Sequence, residues 1–426
     1  DERALQRLNE WLNDWCAKNP PYLGANWKCG QEASIRVMHL CMAASILKQV
    51  NSPQAVLLEL IECHLRRIDP TIGYAIAQDN NHGTSEAAAL FMGGSWLFAQ
   101  GELRGERWAS LGRKWLENRA KRLVADDGSF SQHSVNYHRV MLDTYSMVEV
   151  WRRALGVAPF SMELTQRLQK ATAWLGNMVS PDGCDTPNLG ANDGARLLAL
   201  TDTGYRDVRP SVQLASVLHF NKLAMDSSGV WNAPLHWLGV LLPQDSHDFI
   251  QSRHYDNGGY AVLRNSESML LLRYPKFKFR PSQSDLMHVD FWVGGRNIVR
   301  DGGSFSYNCD EPFQSYFPSV RAHSTIEFDD HDQMPRIGRF LFGAWPQSRR
   351  YDCGNVNLGR FDVGYKDWLG CSHRRSVKLR SGELDINDEI SGFKSKAILR
   401  WRLELGYWEK RGDWFVGDGI QIRVSA

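Results

Sequence analysis

Two chemically active side chains, His288 and Asp301, lie at equal distances from a Gly-Gly pair in the sequence. Alternating apolar runs meet at Gly294-Gly295, which predicts a β-hairpin whose two-residue turn tolerates positive φ. When the residues beside the turn pair, antiparallel counting sets His288 directly opposite Asp301, since each lies five residues farther out. Cross-strand partners have Cβ atoms about 5 Å apart, so an imidazole and a carboxylate should converge on one face.

This pair could belong to a metal site. Asp290 is expected on the same face as His288, because strand side chains alternate with period two. His323 follows after a loop, and a set of His, Asp and His suits zinc or another transition metal. The spacing fits equally well a buried hydrogen-bonded pair of His288 and Asp301 with His323 unrelated, and spacing alone leaves both interpretations open.

A second polar group, Asn80-Asn81-His82, comes just before an alanine-rich helical stretch. We expect Thr84 or Ser85 to cap this helix, which leaves the three residues in the loop at the positive end of the helix dipole. Amide and imidazole donors held there could bind a carboxylate. The alternative is a plain capping loop without a ligand.

Tyr137 is the third candidate, in the first turn of a helix for which Ser134 is the predicted N-cap. His138 and Arg139 flank it in sequence and could stabilise its phenolate, which would lower a pKa of about 10. A tyrosine so activated could exchange protons with a substrate. The alternative is a packed aromatic side chain whose hydroxyl is satisfied.

Two further segments carry polar side chains. In the loop 187–194, Asn192 and Asp193 stand at the entrance to a predicted helix, where Asp193 could hold a base or a hydroxyl. A turn-forming Asn-Asp-Gly explains that loop equally well. Farther on, three cations alternate with phenylalanines and would share one strand face, which fits an anionic glycan or a solvated edge strand: Lys276, Lys278 and Arg280.

The bulk composition limits the classes of protein. A chain of 426 residues with 43% hydrophobic side chains can bury two cores, so two domains are predicted. The net charge of +2, from 50 basic and 48 acidic residues, excludes a polybasic nucleic-acid binder. No run of about 20 apolar residues occurs, so no membrane span is expected. The 16 Trp and 13 Tyr include rings that could stack on sugars, although most should be core residues.

The eight cysteines show no CxxC pair, and we interpret them as mostly free thiols, which leans away from an oxidising compartment. The chain opens at Asp1 inside an apparent helix and stops at Ala426 after a strand-like run. We therefore expect truncation at both ends, and the absence of a signal peptide tells nothing.

The periodicity of the chain changes near its middle. Helical three- and four-residue spacing continues to about residue 225, with helices predicted at 86–100, 107–123, 137–155, 161–178 and 195–200. From about residue 258, short alternating runs separated by Gly, Asn and Asp predict antiparallel sheets. The break within 226–257 predicts a helical domain at 1–240 and a β-sheet domain at 241–426.

Taken in order, these pieces resemble the heparinase II/III family of polysaccharide lyases over nearly the whole chain. The similar stretches are Asn26-Trp27, Glu32–Arg36, Asn80–His82, Tyr137-His138, Gly190–Gly194, His288–Asp290, Asp301-Gly302 and Ala322–Thr325. The resemblance implies a multidomain α+β fold, with an N-terminal incomplete (α/α) toroid followed by an antiparallel, sandwich-like β-sheet domain.

The resemblance also implies β-elimination at a uronic acid. Removal of the C5 proton places charge on the C6 carboxylate, so the site needs donors that bind this charge more strongly as it grows. Asn81 and His82 match the family positions with that role, and Tyr137 matches the proton-transferring tyrosine, with His138 beside it. His288, Asp301 and His323 match a metal triad, for which zinc is favoured over manganese or calcium. Residues expected to bind the substrate are Asn80, Gln132, Asn192, Asp193, Arg280, Gln283, Tyr307, Tyr316 and Arg321.

The chain departs from the family at two positions. Some relatives carry a further catalytic histidine where this chain has Leu286, and relatives often have Glu where Gln132 stands. The missing histidine puts one proton-transfer role in doubt, and several residues could replace it, without a ranking: Gln283, His138, Tyr307, Tyr316 and Arg321.

The expected substrate is an acidic polysaccharide containing uronic acid. Glycosaminoglycans such as heparan sulfate, hyaluronan or chondroitin are favoured over alginate or a bacterial exopolysaccharide. One alternative is a glycoside hydrolase on a similar toroid, for which Asp126, Asp127, Asp193 and Glu86 supply carboxylates but no marked pair. Another is a non-catalytic glycan-binding protein. The family implies a bacterial periplasmic or secreted protein, while eight cysteines also allow a cytoplasmic one.

Overall fold

The computed structural model describes residues 2–181, 185–351 and 356–425. The first half is helical, as the sequence predicts. Its α-helices are α1 (Glu2–Lys18), α2 (Gly30–Ile46), α3 (Ala55–Ile68), α4 (Ile72–Ala77), α5 (Asn81–Ala99), α6 (Arg104–Leu123), α7 (Val135–Ala154), α8 (Met162–Gly176), α9 (Arg209–Phe220) and α10 (Ala233–Trp237). Among the described residues, no helix is both long enough and apolar enough to span a membrane.

Helices α5 and α7 occupy the centre of the helical half, and nearly every residue of each is buried. Glycines let α6 approach α5 closely, since a Cβ on Gly112 would lie 2.3 Å from the backbone nitrogen of Phe91. By contrast, α1 has no buried residue. The two candidate segments at Asn81 and Tyr137 therefore stand at the N-termini of the two most buried helices.

The second half is built from antiparallel strands with one four-residue helix, α11 (Phe313–Tyr316). The strands are β1 (Arg253–Tyr255), β2 (Tyr260–Arg264), β3 (Ser268–Arg273), β4 (Val289–Val293), β5 (Arg296–Val299), β6 (Ile326–Phe328), β7 (Arg336–Gly338), β8 (Leu341–Phe342), β9 (Arg349–Arg350), β10 (Arg360–Lys366), β11 (Ser372–Arg380), β12 (Glu383–Ser391), β13 (Ala397–Leu399), β14 (Glu409–Arg411), β15 (Trp414–Gly417) and β16 (Ile420–Arg423).

Two sheets dominate this half, one with strand order β1-β2-β3-β4-β5 and one with order β12-β11-β10-β9. The first sheet is a middle layer, because its strands bury both faces. Along β3, Met269 and Leu271 pack into the helical core, while Leu270 and Leu272 pack against the second sheet. Period-two alternation sends successive side chains to opposite faces, so a continuous apolar run suits a strand covered on both sides.

Hydrogen bonds join the helical half to the middle sheet. The Asp127 carboxylate accepts from the backbone N–H of Asn257 at 2.7 Å and of Gly258 at 3.3 Å. Asn177 donates to the hydroxyl of Tyr255 at 3.0 Å. These contacts fix the orientation of the two halves, and with it the distance between candidate residues on each.

The Gly294-Gly295 hairpin forms between β4 and β5, with φ of 51° and 76° at its two glycines. Val293 pairs with Arg296 as expected, but a bulge shifts the register and Phe291 pairs with Val299. The expectation that His288 lies directly opposite Asp301 is therefore wrong. An extra residue in one strand moves every later pair by one position.

Several local predictions can be compared with the structure. Ser134 caps α7 as predicted, accepting from the backbone N–H of Tyr137 at 3.1 Å. Helix α5 instead starts at Asn81 with Asn80 as its cap, so the caps predicted at Thr84 or Ser85 are wrong. No helix forms at 195–200, and at 276–280 only an isolated bridge at Lys276 replaces the predicted strand.

Candidate active site

The N-terminus of α5 presents Asn81 and His82. Asn80 accepts from the backbone N–H of His82 at 3.0 Å, and Gln132 accepts from the backbone N–H of Asn81 at 2.8 Å. Two of the first backbone donors of the helix are thereby satisfied by side chains. Gln132 and Asn80 thus position Asn81 and His82. A Glu in place of Gln132 would keep the same acceptor and add a charge.

Tyr137 projects from the first turn of α7 toward a tyrosine of the β half. The hydroxyl of Tyr307 donates to the hydroxyl of Tyr137 at 3.4 Å. Burial, then the neighbouring Tyr307 and Asp193, raise the pKa of Tyr137 far above its ordinary value. Burial likewise raises the pKa of Tyr307 to about 12. Both tyrosines are therefore neutral at physiological pH, and the expectation of a stabilised Tyr137 phenolate is wrong.

His82 lies in the same neighbourhood. Burial lowers the pKa of His82, and the charge of nearby Arg280 lowers it further, while the Asp193 carboxylate acts in the opposite direction. A neutral imidazole at neutral pH has one N–H donor to offer a ligand. The exposed Arg280 adds a cation beside it. Asp193 and Arg280 thus lie close to His82, and Asp193 also lies close to Tyr137.

The loop 187–194 carries Asp193 to this place and connects the two halves. A Cβ on Gly190, whose φ is 74°, would lie 2.2 Å from the backbone oxygen of His133. The backbone N–H of Asn192 donates to the hydroxyl of Ser304 at 3.1 Å, and the side chain of Asn192 accepts from Tyr205 at 2.7 Å. Sequence reasoning missed Tyr205 and Ser304, because neither stands in a recognisable motif.

His138 is not brought to Tyr137, although the two are adjacent in sequence. Its ring stacks on Trp174 with centroids 4.4 Å apart, and its Nε2 lies 2.9 Å from the backbone oxygen of Ala171. Burial lowers the pKa of His138 to about 3. Arg139 is also turned away, donating to the backbone oxygen of Ala195 at 3.1 Å. Helical geometry explains this, since consecutive residues point about 100° apart around the axis.

The remaining predicted binding residues make other contacts. Gln283 is buried and donates to the backbone oxygen of Gly303 at 3.1 Å. Tyr316 donates to the backbone oxygen of Arg321 at 3.3 Å, and Arg321 in turn pairs with Glu327 at 2.8 Å. No contact joins Gln283, Tyr316 or Arg321 to Tyr137 among the described residues. Leu286 is fully buried in the core between the two sheets.

The basic segment before the hairpin is partly exposed. Lys278 and Arg280 are exposed and Lys276 is half-buried, while Phe277 is buried between them. The three cations are thus more exposed than Phe277, although the segment is not a regular strand. Of the three cations, only Arg280 influences the pKa of His82.

His288, Asp301 and His323 converge in the β half despite the shifted register. Nε2 of His288 lies 3.7 Å from Oδ2 of Asp301, which lies 2.9 Å from Nδ1 of His323. All three side chains are buried. Burial alone would lower the pKa of His323, but the Asp301 carboxylate outweighs it and raises that pKa.

The residues present fit a divalent cation. Nε2 of His288 and of His323 is buried without a hydrogen-bond partner among the described residues. Two imidazoles and one carboxylate suit a transition metal better than calcium. The backbone N–H of Ser324 donates to Nδ1 of His288 at 2.9 Å. The neutral ring therefore carries its proton on Nε2. For a cation to bind at Nε2 the proton would have to move to Nδ1, and the hydrogen bond from Ser324 would be lost.

Asp290 accepts hydrogen bonds from neighbouring residues and is not one of the three clustered metal-ligating side chains. Its carboxylate accepts from Trp292, from Asn297 at 2.6 Å and from the backbone N–H of Asp301 at 3.3 Å. It lies beside His288, with 3.8 Å between Oδ2 and Nε2. Asp290 thus holds Asp301 in place across the bulge of the hairpin.

Comparison with known families gives this site its context. The profile of the heparinase II/III N-terminus matches residues 1–201, and the heparinase II/III-like C-terminal profile matches residues 250–412. The chain therefore belongs to the heparinase II/III family, and the resemblance read from its motifs is confirmed. No curated protein sequence matches the chain.

Solved structures share the fold. Heparan sulfate lyase HepC from Pedobacter heparinus matches with 19% identity and a TM-score of 0.63, over 97% of this chain and 63% of its own. A heparinase III gene product matches with 17% identity and a TM-score of 0.67, over 97% and 65%. Another heparinase III structure has 17% identity and a TM-score of 0.66, over 92% and 60%. The chain thus spans less than two thirds of each of these proteins. At such identities the likeness confirms the predicted fold, a helical toroid followed by antiparallel sheets.

Proposed function

We propose that this protein is a polysaccharide lyase that cleaves a uronic-acid-containing polymer by β-elimination. The observation that carries the proposal is the hydrogen-bonded pair of Tyr137 and Tyr307, which comes from two different halves of the chain. Asp193 lies close to both Tyr137 and His82. The tyrosine pair is therefore near the imidazole of His82 and the guanidinium of Arg280. Glycosaminoglycans of the heparan sulfate type are the first substrates to test, because HepC is named for that polymer.

The carboxylate of the uronate is assigned to Asn81 and His82. Abstraction of the C5 proton moves negative charge onto this group, so donors aimed at it stabilise the transition state more than the ground state. Both residues stand at the positive end of the α5 dipole, where an anion is favoured. Arg280 adds a full positive charge nearby.

The proton transfers are assigned to the two tyrosines. The C5 proton passes to the oxygen of Tyr307, the Tyr307 hydroxyl proton passes to Tyr137, and the Tyr137 proton passes to the departing O4. The C5–H and C4–O4 bonds break, and a C4=C5 double bond and a new O4–H bond form. Both tyrosines are neutral before and after, which suits their raised pKa values. The hydrogen bond between the two hydroxyls supplies a path for the proton that moves between them.

The test is a panel of uronate polysaccharides, monitored by the ultraviolet absorbance of the unsaturated product. Tyr137→Phe and Tyr307→Phe should fold normally and each lose at least about 100-fold in kcat, because each removes one proton carrier. Tyr74→Phe is the matched control, since this tyrosine is 75% exposed on α4. No absorbance change on any polymer with the native chain would refute the elimination.

The triad of His288, Asp301 and His323 is proposed to hold a divalent cation, with zinc favoured over manganese. A bound ion would supply positive charge between Asp301 and His323. It would thereby stabilise the segment between these two ligands, which contains Tyr307. Chelation should remove one equivalent of metal from this site and lower both activity and the thermal midpoint. His323→Ala should abolish that equivalent in metal analysis. Unchanged metal content in this variant would refute the assignment.

A glycoside hydrolase is the second candidate, and it needs two carboxylates flanking one bond. Of the four carboxylates considered, Asp193 lies beside Tyr137, whereas Asp127 binds backbone N–H groups and Asp126 is 74% exposed beside Arg167. Glu86 is buried and burial raises its pKa to about 8. Products with new reducing ends but no chromophore would favour hydrolysis, and binding without cleavage would favour a glycan-binding protein.

A further inference from the structure

A second group of metal-ligating side chains lies outside the site described above. His331, Asp367 and Cys371 each offer one ligand atom, and these atoms all lie within 4.8 Å of one another. Asp367 and Cys371 are buried, and His331 is half-buried. None of the three belongs to a motif that the family resemblance or the elimination chemistry uses.

The loop between β10 and β11 is built to present two of these ligands. One carboxylate oxygen of Asp367 accepts from the backbone N–H of Leu369 at 2.9 Å and of Cys371 at 2.8 Å. That fixes the carboxyl plane and leaves the other oxygen, Oδ2, 2.8 Å from Nε2 of His331. Both backbone bonds remain intact if Oδ2 binds a cation, so the loop needs no rearrangement.

The third ligand is a thiol held at the same point. Cys371 is 2% exposed, and its sulfur lies 3.6 Å from the backbone oxygen of Gly392. A thiol is a weak donor, so losing this hydrogen bond costs little. Burial, and then the nearby Asp367 carboxylate, raise the pKa of the Cys371 thiol, so the thiol is protonated before an ion binds. Sulfur, imidazole nitrogen and carboxylate oxygen together are the ligand types that zinc accepts, with a fourth position left for water.

We propose that His331, Asp367 and Cys371 form a second divalent-metal site, of zinc type, separate from the His288 triad. On binding, the thiol proton of Cys371 leaves to solvent and the imidazole proton of His331 moves from Nε2 to Nδ1. The ion takes the place of the proton that His331 shares with Asp367. The inference is independent of the proposed lyase activity, because it rests on these ligands alone.

The position of the site in the fold indicates a structural role. His323 precedes β6 and His331 follows it, so one three-residue strand is flanked by a ligand of each site. An ion at the second site would join the end of β6 to the β10–β11 loop. Because binding to the folded state alone stabilises it, the ion should raise the thermal midpoint of the β half.

Cobalt(II) titration of the metal-free chain tests the proposal, because a cobalt–thiolate bond gives a near-ultraviolet charge-transfer band. The His288 triad contains no sulfur and cannot produce this band. We expect the band in the native chain and in His323→Ala, its loss in Cys371→Ser, and at least about a tenfold weaker cobalt affinity in His331→Ala. Cys63→Ser, which removes a half-buried thiol of α3, should keep the band.

Zinc content gives the second measurement. The native chain should bind one more zinc ion than Cys371→Ser, and the double variant with His323→Ala should lose both. His331→Ala removes a half-buried ring and should fold even if Cys371→Ser does not. A native chain without the band, or a band that survives in both Cys371→Ser and His331→Ala, would overturn the site and show an ordinary hydrogen-bonded cluster. The lyase activity of Cys371→Ser has no bearing on this outcome.

Discussion

At the scale of single residues, the neighbours of Tyr137 in the sequence are not its neighbours in space. His138 is turned toward Trp174 and Arg139 toward the backbone of Ala195, and Tyr307 and Asp193 lie near the hydroxyl instead. Removing a phenol from water disfavours its charged form, which is why the pKa rises instead of falling. Tyr137 is therefore a neutral phenol in the resting protein and not a phenolate.

Glu86 gives a residue-scale prediction about pH. Burial raises the pKa of Glu86 from 4.5 to about 8, against the weaker opposing effect of Arg67. The folded state therefore holds a proton that the unfolded state has lost, so stability is fully present below about pH 4.5 and is lost as pH rises toward 8. The free energy of unfolding should fall by up to about 1.4 kcal/mol per pH unit in this window.

Denaturant unfolding at about pH 5, 7 and 9 measures this slope. Glu86→Gln keeps the shape of the side chain and removes the titration, so its stability should be flatter with pH. Glu59 on the helix surface offers the matched control, and Glu59→Gln should leave the native slope unchanged. Equal slopes in native protein and Glu86→Gln would contradict the prediction.

At the scale of elements, the conformation of the loop 187–194 depends on close packing against His133 as well as on the positive φ of Gly190. Gly190 has a positive φ and no room for a Cβ beside His133, whereas Gly156 has a positive φ with open space around it. Gly190→Ala should cost more than about 2 kcal/mol of stability and displace Asp193, with a loss of activity. Gly156→Ala should cost about 1 kcal/mol and keep activity.

We would measure the free energy of unfolding of both glycine variants and the lyase rate of the folded proteins. The comparison distinguishes the cost of backbone strain from the cost of the steric clash at Gly190. Equal costs for the two would show that backbone strain alone matters.

The start of helix α5 depends on both a local and a long-range contact. The helix starts at Asn81 because the side chain of Asn80 forms a local cap with the backbone N–H of His82. Gln132, which lies 51 residues away in sequence, adds an acceptor for the backbone N–H of Asn81.

At the scale of the whole molecule, the site exists only because two halves meet. Asp127 is central to that contact, since its carboxylate accepts from the backbone N–H of Asn257 and Gly258 and from Ser129. Asp127→Ala leaves these donors without an acceptor and should cost about 2 kcal/mol or more, with a fall in kcat as Tyr307 loses its alignment with Tyr137.

Asp126→Ala is the control, because Asp126 is 74% exposed and its ion pair with Arg167 should contribute less than about 1 kcal/mol. Thermal unfolding and initial rates of both variants check the comparison. An Asp127→Ala protein as stable and as active as Asp126→Ala would show that other contacts alone hold the two halves together.

The sequence alone determined the class of fold, the family and the residue types at the site. Helical spacing changing to period two, and motifs such as Asn80–His82 and His288–Asp290, depend on neighbours a few residues apart. Tertiary structure decided which of these residues meet. A one-residue bulge broke the counted register of the hairpin, yet Asp290 still brought Asp301 to His288. Only packing of the sheet on the helices set Tyr307 against Tyr137, because contacts between residues 170 apart leave no periodic trace in the chain.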